Sequence, residues 1–407
     1  MNATESSNER ATAACCVAGG GPAGVMLGFL LARAGVDVIV LEKHKDFFRD
    51  FRGDTIHPST LELMEELGLL EEFLRLPHQE VHEIRAHFAN RVVTIGDFSH
   101  LPTKCKYIAL MPQWDFLNFL AEQASRYPSF HLRQEAEVTD LIVEGDRVVG
   151  VRAKTPKGEL EVRAPLVVGA DGRSSIVRDR AKLEVIDYGA PMDVLWFRLP
   201  READDPDFTF GYIGAGQFMV LIDRDQYWQC AFAIRKGSFD ERQRKGLEAF
   251  HDEVVRCAPF LRGRIGELSS WDQVKLLSVK VDHLREWCRE GLLCIGDSAH
   301  AMSPVGGVGI NLAIQDAVAT ANILAAKLRD HAVTLDDLRA VQRRRERPAV
   351  LTQKIQVFLH EHFLERVFDS EKPMDAPWPA RLMDALPALR RIPARMIGMG
   401  FRPEHIR

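Results

Sequence analysis

Three glycines and one acidic residue near the start of the chain have the types and spacing needed to bind a dinucleotide. Gly19, Gly21 and Gly24 form a G-x-G-x-x-G motif, and Glu42 follows 23 residues after Gly19. In this pattern the first glycine permits a tight turn, the second lets backbone N–H groups approach a pyrophosphate, and the third lets a helix pack on the sheet. A carboxylate at the position of Glu42 accepts hydrogen bonds from ribose hydroxyls. The motif therefore favours a dinucleotide site over a βαβ unit with a purely structural role.

Two further acidic motifs lie where apolar runs end. Asp171 and Gly172 follow the run LVVGA, and Gly296 and Asp297 follow LLCI. Both runs have the composition of buried parallel strands, so we expect the two aspartates at the carboxyl edge of a sheet. For Asp297 the alternative is a turn-forming residue. The glycine-rich loop 304–311 then leads into a helix, whose first N–H groups and positive dipole end favour an anion.

Several other side chains allow two interpretations each. Arg52 could bind a phosphate or a substrate carboxylate, or it could be a solvated surface residue. Gln113 leads a predicted helix and could reach a cofactor, whereas His57 is predicted to start a helix and not to act as a base. Large apolar residues after residue 191 could line a pocket, but a role in the core is favoured for each one alone. This set comprises Trp196, Phe210, Phe218, Met219, Trp228 and Phe232. No side chain is assigned as a catalytic base, and no cluster has metal-ligand spacing.

The pattern of apolar residues predicts an α/β organisation. Residues 13–18 and 36–41 are typical of buried strands on either side of a helix, and 166–170 of a further buried strand. After residue 191, segments rich in aromatic and β-branched residues alternate with short turns, as in an antiparallel sheet. Residues 13–32 carry no charge and have the length of a membrane span. Their glycines and Pro22 would break a spanning helix, and no signal-peptide features accompany them.

The composition is that of a globular enzyme. The 407 residues carry a net charge of -5, with 46% hydrophobic and 27% charged residues, so the chain can bury a large core and nucleic-acid binding is not indicated. The seven cysteines include no C-x-x-C pair. They indicate reduced thiols and therefore a cytoplasmic protein.

The three motifs, in this order, resemble the para-hydroxybenzoate hydroxylase family of single-component FAD-dependent aromatic hydroxylases. The resemblance covers about residues 13–330. It implies an α/β fold in which a Rossmann-like FAD-binding domain is interwoven with an antiparallel-sheet substrate domain and followed by C-terminal helices. It also implies a monooxygenase that uses NAD(P)H to reduce FAD. A flavin hydroperoxide formed with dioxygen would then hydroxylate an aromatic or similar small apolar substrate.

By the same resemblance, most of the residues above contact FAD. The glycines of residues 19–24 would bind the pyrophosphate, Glu42 the adenosine ribose, Asp297 the ribitol and the loop 304–311 the isoalloxazine. Asp171 would serve both FAD and the nicotinamide donor. The complete expected set is Gly19, Gly21, Pro22, Ala23, Gly24, Glu42, Lys43, Arg52, Gln113, Asp171, Gly296, Asp297, Pro304, Gly306, Gly307, Gly309, Ile310 and Asn311.

The domain organisation follows from these segments. The predicted boundaries are 13–78, 105–185 and 290–345 for the FAD-binding domain, 79–104 and 186–289 for the substrate domain, and 346–407 for a helical tail. Prolines interrupt the basic, apolar tail, so we expect short helices packed on the body, or against a second subunit in a homodimer, without stable membrane insertion.

Other functions remain open on the same scaffold. They are a ubiquinone-biosynthesis-type hydroxylase, a flavin-dependent prenyl-chain reductase and a non-catalytic flavin-binding protein. Dioxygen consumption would separate a hydroxylase from the reductase, and NAD(P)H oxidation would exclude the binding protein.

Overall fold

The computed structural model describes residues 9–48, 55–89, 91–206 and 210–407. Its strands are β1 Glu9–Thr12, β2 Cys15–Ala18, β3 Val38–Leu41, β4 Thr55–Ile56, β5 Gln79–Val81, β6 Glu83–Phe88, β7 Arg91–Asp97, β8 Ile108–Leu110, β9 Phe130–Arg133, β10 Glu137–Glu144, β11 Arg147–Thr155, β12 Gly158–Arg163, β13 Leu166–Gly169, β14 Val185–Asp187, β15 Met192–Pro200, β16 Phe210–Gly214, β17 Gln217–Asp223, β18 Tyr227–Arg235, β19 Lys275–Leu277, β20 Asp282–Leu284, β21 Cys288–Arg289 and β22 Leu292–Cys294. Its α-helices are α1 Pro22–Arg33, α2 Pro58–Glu66, α3 Leu70–Phe73, α4 Gln113–Ser125, α5 Ile176–Arg180, α6 Phe239–Lys245, α7 Leu247–Cys257, α8 Gly309–Arg329, α9 Leu335–Leu359, α10 Glu365–Asp369, α11 Trp378–Ala385 and α12 Arg391–Met399.

A six-stranded sheet carries the sequence motifs. Its order is β21-β22-β13-β2-β3-β9, and every neighbouring pair is parallel except β21-β22. The strands β2, β3, β13 and β22 are buried along their whole length, which explains their unbroken apolar sequences. The predicted strand 36–41 begins only at Val38, and the run 13–18 becomes a strand only from Cys15. Helix α1 packs on this sheet and contacts helices α4 and α8.

A seven-stranded sheet follows the predicted antiparallel pattern. Its order is β19-β15-β18-β17-β16-β6-β7, and only the pair β16-β6 is parallel. Because side chains alternate along a strand, each strand contributes to two different clusters. One face of the sheet, which we call the outer face, packs on α7 and includes Met219, Trp228 and Phe232. The opposite face, which we call the inner face, carries Trp196, Phe218, Val220, Ile222, Ala231 and Ala233. Between β18 and β19 the chain forms the helices α6 and α7, which are divided at Gly246, whose φ is +93°.

The C-terminal region consists of one long helix and several short ones. Helix α9 continues through Pro348, and a π-helical turn, His360–Leu364, joins it to α10. The short helices α11 and α12 pack on strand β7, as expected for a segment so often interrupted by proline. The predicted α/β fold with an antiparallel second sheet and C-terminal helices is confirmed, whereas the exact domain boundaries stay a prediction.

One helical stretch among the described residues is long and apolar enough to cross a membrane. It spans Val305–Arg329, and 72% of its apolar window is buried within the protein. Burial of this extent is the normal environment of a central helix in a globular core.

Candidate active site

The turn after β2, residues 19–24, is closely packed against the backbone at Gly19 and Gly24. Gly19 has a φ of +110°, and a Cβ there would lie 2.3 Å from the carbonyl oxygen of Ala170. A Cβ on Gly24 would lie 1.9 Å from the oxygen of Gly19. Gly19 therefore permits the turn against β13, and Gly24 permits the close packing of α1, as the motif predicts. We call residues 19–24 the glycine turn.

Gly21 differs from its neighbours because it borders open space. It is the N-cap of α1 and makes no side-chain capping bond, while Pro22 occupies the first helical position. A Cβ on Gly21 would meet nothing within 4 Å. The first N–H groups of α1 thus have no side-chain cap, and the space beside them is suitable for a bound pyrophosphate.

Glu42 lies directly behind the glycine turn. Its side chain is 7% exposed, and its Oε2 accepts a hydrogen bond of 3.1 Å from the N–H of Gly20. Its Oε1 accepts a second bond, of 2.9 Å, from the N–H of His44. A carboxylate oxygen can accept more than one bond, so ribose hydroxyls can still be bound. The residues expected to bind FAD did not include Gly20. The structure places Gly20 against Glu42, since a Cβ there would lie 2.8 Å from the Cβ of Glu42.

The three motifs meet at one edge of the six-stranded sheet. The N–H of Ala170 donates to the oxygen of Ala18 over 2.7 Å, and the N–H of Ile295 donates to the oxygen of Gly169 over 2.9 Å. The glycine turn, the Asp171 motif and the Asp297 motif are therefore neighbours at the carboxyl ends of β2, β13 and β22. This is the place where open α/β sheets bind ligands.

The two aspartates have different partners at this edge. Oδ2 of Asp171 accepts a bond of 3.1 Å from the N–H of Val177 at the start of α5, and burial raises the pKa of this carboxyl. Oδ2 of Asp297 lies 3.3 Å from Nη2 of Arg173, and both side chains are about one-third exposed. Sequence reasoning missed Arg173, although it directly follows the Asp171-Gly172 pair. Asp297 also lies in a 3-10 turn, Gly296–Ser298, so the turn-forming interpretation stays open beside the ribitol prediction.

The loop 304–311, which we call the glycine loop, is hydrogen-bonded to residues that directly precede α2. Oγ1 of Thr55 donates to the oxygen of Gly307 over 2.8 Å, and the N–H of His57 donates to Oδ1 of Asn311 over 2.9 Å. Gly306 and Gly307 have φ values of +82° and +63°, which side chains disfavour. His57 is the N-cap of α2, as predicted, and its burial lowers its pKa to about 4. Its imidazole is therefore neutral near pH 7.

Comparison with known proteins decides the family. Residues 12–354 match the model of the FAD binding domain family. Over 385 residues the chain is 32% identical to 6-methylpretetramide 4-monooxygenase of Streptomyces rimosus. This alignment covers 93% of this chain and 91% of that protein. The chain belongs to the para-hydroxybenzoate hydroxylase-like family of FAD-dependent monooxygenases.

Two further comparisons give a second relative in sequence and a solved structure with the same fold. Over 311 residues the chain is 30% identical to dialkyldecalin synthase of Streptomyces rugosporus, an alignment that covers 74% of this chain and 63% of that longer protein. The fold matches the solved structure of p-nitrophenol 4-monooxygenase from Pseudomonas putida DLL-E4 with a TM-score of 0.74 at 20% identity, covering 95% and 97% of the two chains. The protein is thus an FAD-dependent oxidoreductase, and the family prediction made from its motifs is confirmed.

Side chains in helix α9 and just after its end form hydrogen bonds with the segment that leads into the glycine loop. Gln356 accepts from the N–H of Ser303 over 3.1 Å and donates to the oxygens of Ser303 and Val305 over 3.0 and 2.9 Å. His360 adds a contact of 2.8 Å between its Nε2 and Oγ of Ser303. Gln353 bonds the oxygen of Ala301 over 2.8 Å. Sequence reasoning missed these residues because polar side chains on a long helix usually face solvent.

A buried ionic network lies behind the Asp297 motif. Asp316 accepts from the N–H of Gly296 over 3.0 Å and from Nε2 of His300 over 2.6 Å. Arg345 contributes a bond of 3.0 Å to Asp316 and one of 3.2 Å to Glu404. Burial acts to lower the pKa of His300, but the Asp316 carboxylate raises it overall above its usual value. Conversely, burial acts to raise the pKa of Asp316, but His300 and then Arg345 hold it below its usual value.

The remaining predicted residues divide between core, surface and residues outside the described ranges. Met219, Trp228 and Phe232 are fully buried on the outer face, which confirms the core interpretation for them. Trp196 and Phe218 are partly exposed on the inner face. Gln113 is partly exposed at the first position of α4, while Lys43 is exposed and Ala23 is buried. Arg52 and the side chain of Phe210 lie outside the described residues.

Proposed function

We propose that the protein hydroxylates the ring of a small aromatic molecule, with NAD(P)H as reductant and dioxygen as the source of the oxygen atom. One observation carries this proposal. Val305 of the glycine loop packs in the same cluster as Trp196 and Ala231 of the inner face, so the loop expected at the isoalloxazine faces an apolar sheet. Such a surface suits a planar apolar substrate and excludes water from the reacting centre.

The residues at the sheet edge fit FAD. The open space beside Gly21 and the N-terminus of α1 would accommodate the pyrophosphate, and Glu42 would bind the adenosine ribose. Asp171 and Asp297 lie at the neighbouring strand ends, and Gln113 and Lys43 complete the proposed set among the described residues. When bound, FAD supplies the two-electron redox chemistry and the reaction with dioxygen.

The protein's own groups would set the electrostatics and the geometry of this centre. The 21-residue helix α8 begins at Gly309, so its positive dipole end lies at the glycine loop. It would stabilise negative charge there by about 0.3 to 2 kcal/mol. Thr55, His57 and Gln356 hold the loop from two sides through their hydrogen bonds, which keeps its N–H groups oriented before substrate arrives.

The relatives suggest the substrate class. One is named for 6-methylpretetramide and another for para-nitrophenol, and both names describe monooxygenases. We propose an aromatic substrate for this chain, with the pretetramide type preferred because that alignment covers most of both proteins. A second candidate is a synthase reaction, since one relative is named dialkyldecalin synthase. Hydroxylation of a ubiquinone precursor and reduction of a prenyl chain stay open as candidate reactions.

The test is a screen of phenols and aromatic polyketides with the purified FAD-loaded protein. We expect one class to accelerate NADH or NADPH oxidation, with dioxygen consumed and one labelled oxygen atom found in the product when the gas is isotopically labelled. Protein stripped of FAD is the control. NAD(P)H oxidation without dioxygen consumption would favour the reductase, and conversion of a substrate without either would favour the synthase.

We further propose a cytoplasmic protein that forms a homodimer and has no stable membrane insertion. All seven cysteines are free and buried, which supports a reducing compartment. The burial of the apolar helix Val305–Arg329 supports the absence of membrane insertion. Sedimentation with and without vesicles would test both the assembly and the membrane proposal.

A further inference from the structure

Helix α12 lies between the two surfaces that would enclose a substrate. Ile397 packs in a cluster that includes Trp196, Val220 and Ile222 of the inner face. The same side chain packs in a second cluster with Met302, Val308 and Leu312, beside the glycine loop. Among the described residues these two clusters share only Ile397, so one residue of the C-terminal tail joins the sheet and the loop.

The approach of Ile397 to the glycine loop is close. A Cβ placed on Gly306 would lie 4.0 Å from Cγ1 of Ile397. Ile397 is only partly buried, and it borders a small cleft of about 20 Å³ together with Val308, Asn311 and Met396. Part of its side chain is therefore left uncovered by the protein.

The backbone of α12 is fixed at this same residue. Nδ1 of His57 lies 2.7 Å from the carbonyl oxygen of Ile397, and the N–H of His57 bonds Asn311. The neutral imidazole donates through Nδ1 because a carbonyl oxygen can only accept. Ile397 is thus held relative to the first turn of α8 by a buried side chain.

Helix α12 is closely packed on the side that faces Phe98 and Leu101. A Cβ on Gly398 would lie 2.9 Å from Cδ1 of Leu101 and 3.3 Å from Cδ1 of Phe98, and Ala394 is fully buried. The opposite side is solvent-exposed, and Ile392 there is 59% exposed. The helix therefore offers an isoleucine that faces the site and one that faces water.

We propose that Ile397 is a specificity-determining residue. Its side chain forms part of the wall of the substrate site, which lies where the glycine loop meets the inner face of the sheet. This inference rests on the proposed function and adds to it that the C-terminal tail contributes to the choice of aromatic ligand. The ligand class is a planar apolar ring system, and the bulk of Ile397 sets how large it can be. A change in the size of the side chain at this position should therefore alter the binding of wide substrates more than the binding of narrow ones.

The experiment compares the FAD-loaded wild type with Ile397→Ala, Ile397→Val and Ile397→Phe, with Ile392→Ala and Ile392→Phe as matched controls on the same helix. The probes are para-nitrophenol, with one ring, and 1,8-dihydroxyanthraquinone, with three fused rings. Binding is measured by the change that each probe causes in the absorbance of bound FAD, and turnover by NAD(P)H oxidation. FAD content and melting temperature are measured for every variant.

We expect Ile397→Phe to weaken binding of the three-ring probe by about tenfold or more while affecting the one-ring probe less. Ile397→Ala should shift the preference towards the larger probe, and Ile397→Val should restore most of the wild-type ratio. The Ile392 variants should match the wild type. FAD content should be unchanged throughout.

Two outcomes would overturn the inference. In one, the Ile397 variants bind both probes with wild-type affinities. In the other, Ile397→Ala and Ile397→Phe lose FAD while the fraction that retains it keeps the wild-type preference, which would indicate a purely structural role. Failure of the proposed function has a different signature, since no aromatic compound would then perturb the flavin spectrum or accelerate NAD(P)H oxidation in the wild type.

Discussion

Nε of Arg345 donates a hydrogen bond of 3.0 Å to Oδ1 of Asp316, and both side chains are at most 1% exposed. Arg345 belongs to α9 and Asp316 to α8, and Glu404 near the end of the chain accepts from the same guanidinium. Asp316 also accepts a hydrogen bond from the N–H of Gly296. Arg345 and Asp316 therefore connect Glu404 in the C-terminal tail with the Asp297 motif. A buried pair of this kind makes the fold depend on both partners.

Arg345→Met should lower the free energy of unfolding by about 3 to 5 kcal/mol, because it leaves the Asp316 carboxylate buried with one counter-charge fewer. The control is Arg339→Met on the same helix, which removes an exposed pair with Asp336 and should cost at most about 1 kcal/mol. Urea denaturation followed by circular dichroism measures both. Equal losses in the two variants would contradict the importance of the buried pair.

His300→Gln should reduce the dependence of stability on pH. The pKa of His300 is raised in the folded state, so its charged form contributes stability that is complete below about pH 6.5 and is lost as pH rises through the folded pKa. We expect the wild type to exceed the variant by roughly 1.5 to 3 kcal/mol at pH 6, with a smaller difference at pH 9. Urea titrations at the two pH values decide this, and a difference that grows towards pH 9 would show that the sign is wrong.

Gly21→Ala and Gly24→Ala should separate ligand binding from folding. A methyl group on Gly21 meets no protein atom within 4 Å, so the FAD-free variant should keep its stability within about 1 kcal/mol while binding FAD poorly. A methyl group on Gly24 would lie 1.9 Å from the oxygen of Gly19, so this variant should lose stability even without FAD. Thermal unfolding of the FAD-free proteins and FAD titration measure the two effects. Normal FAD binding by Gly21→Ala would refute the pyrophosphate assignment.

Glu42→Ala should weaken FAD binding by roughly 10- to 150-fold, which corresponds to the loss of one charge-assisted hydrogen bond of about 1.5 to 3 kcal/mol. Asp37→Ala is the matched control, since Asp37 lies just before β3 and Glu42 just after it, and Asp37 is about half exposed. Quenching of FAD fluorescence gives both dissociation constants. If Glu42→Ala retains FAD as well as Asp37→Ala does, the ribose assignment fails.

Asp297→Ala should impair FAD binding or the rate of FAD reduction while the protein stays folded, since this side chain is partly exposed at the sheet edge. Its contact with Arg173 supplies the comparison. If Asp297 acts on the cofactor, Arg173→Ala should have the smaller effect on reduction measured by stopped flow. Equal effects of the two variants would assign the role to the ion pair, and no effect of either would favour the turn-forming interpretation.

Sequence alone determined the features whose physics is local. The glycine turn, the buried strands on either side of α1 and the position of Glu42 follow from residues within one βαβ unit, because a tight turn, a helix start and a strand end each depend on near neighbours. The segments after residue 191 that are rich in aromatic and β-branched residues and separated by short turns likewise predicted an antiparallel sheet. The motifs in their order were enough to identify the family.

Only the tertiary structure decided which distant residues meet. Thr55 and Gly307 are separated by 252 positions, and His57 and Ile397 by 340, so no local pattern connects them. Alternation placed Trp196 and Trp228 on opposite faces of the sheet, but the packing of α7 on one face decided that Trp228 is core and Trp196 faces the glycine loop. The buried charges of Asp316, Arg345 and Glu404 were also unpredictable, since each residue type is normally exposed and becomes stable in the interior only when folding brings its partners together.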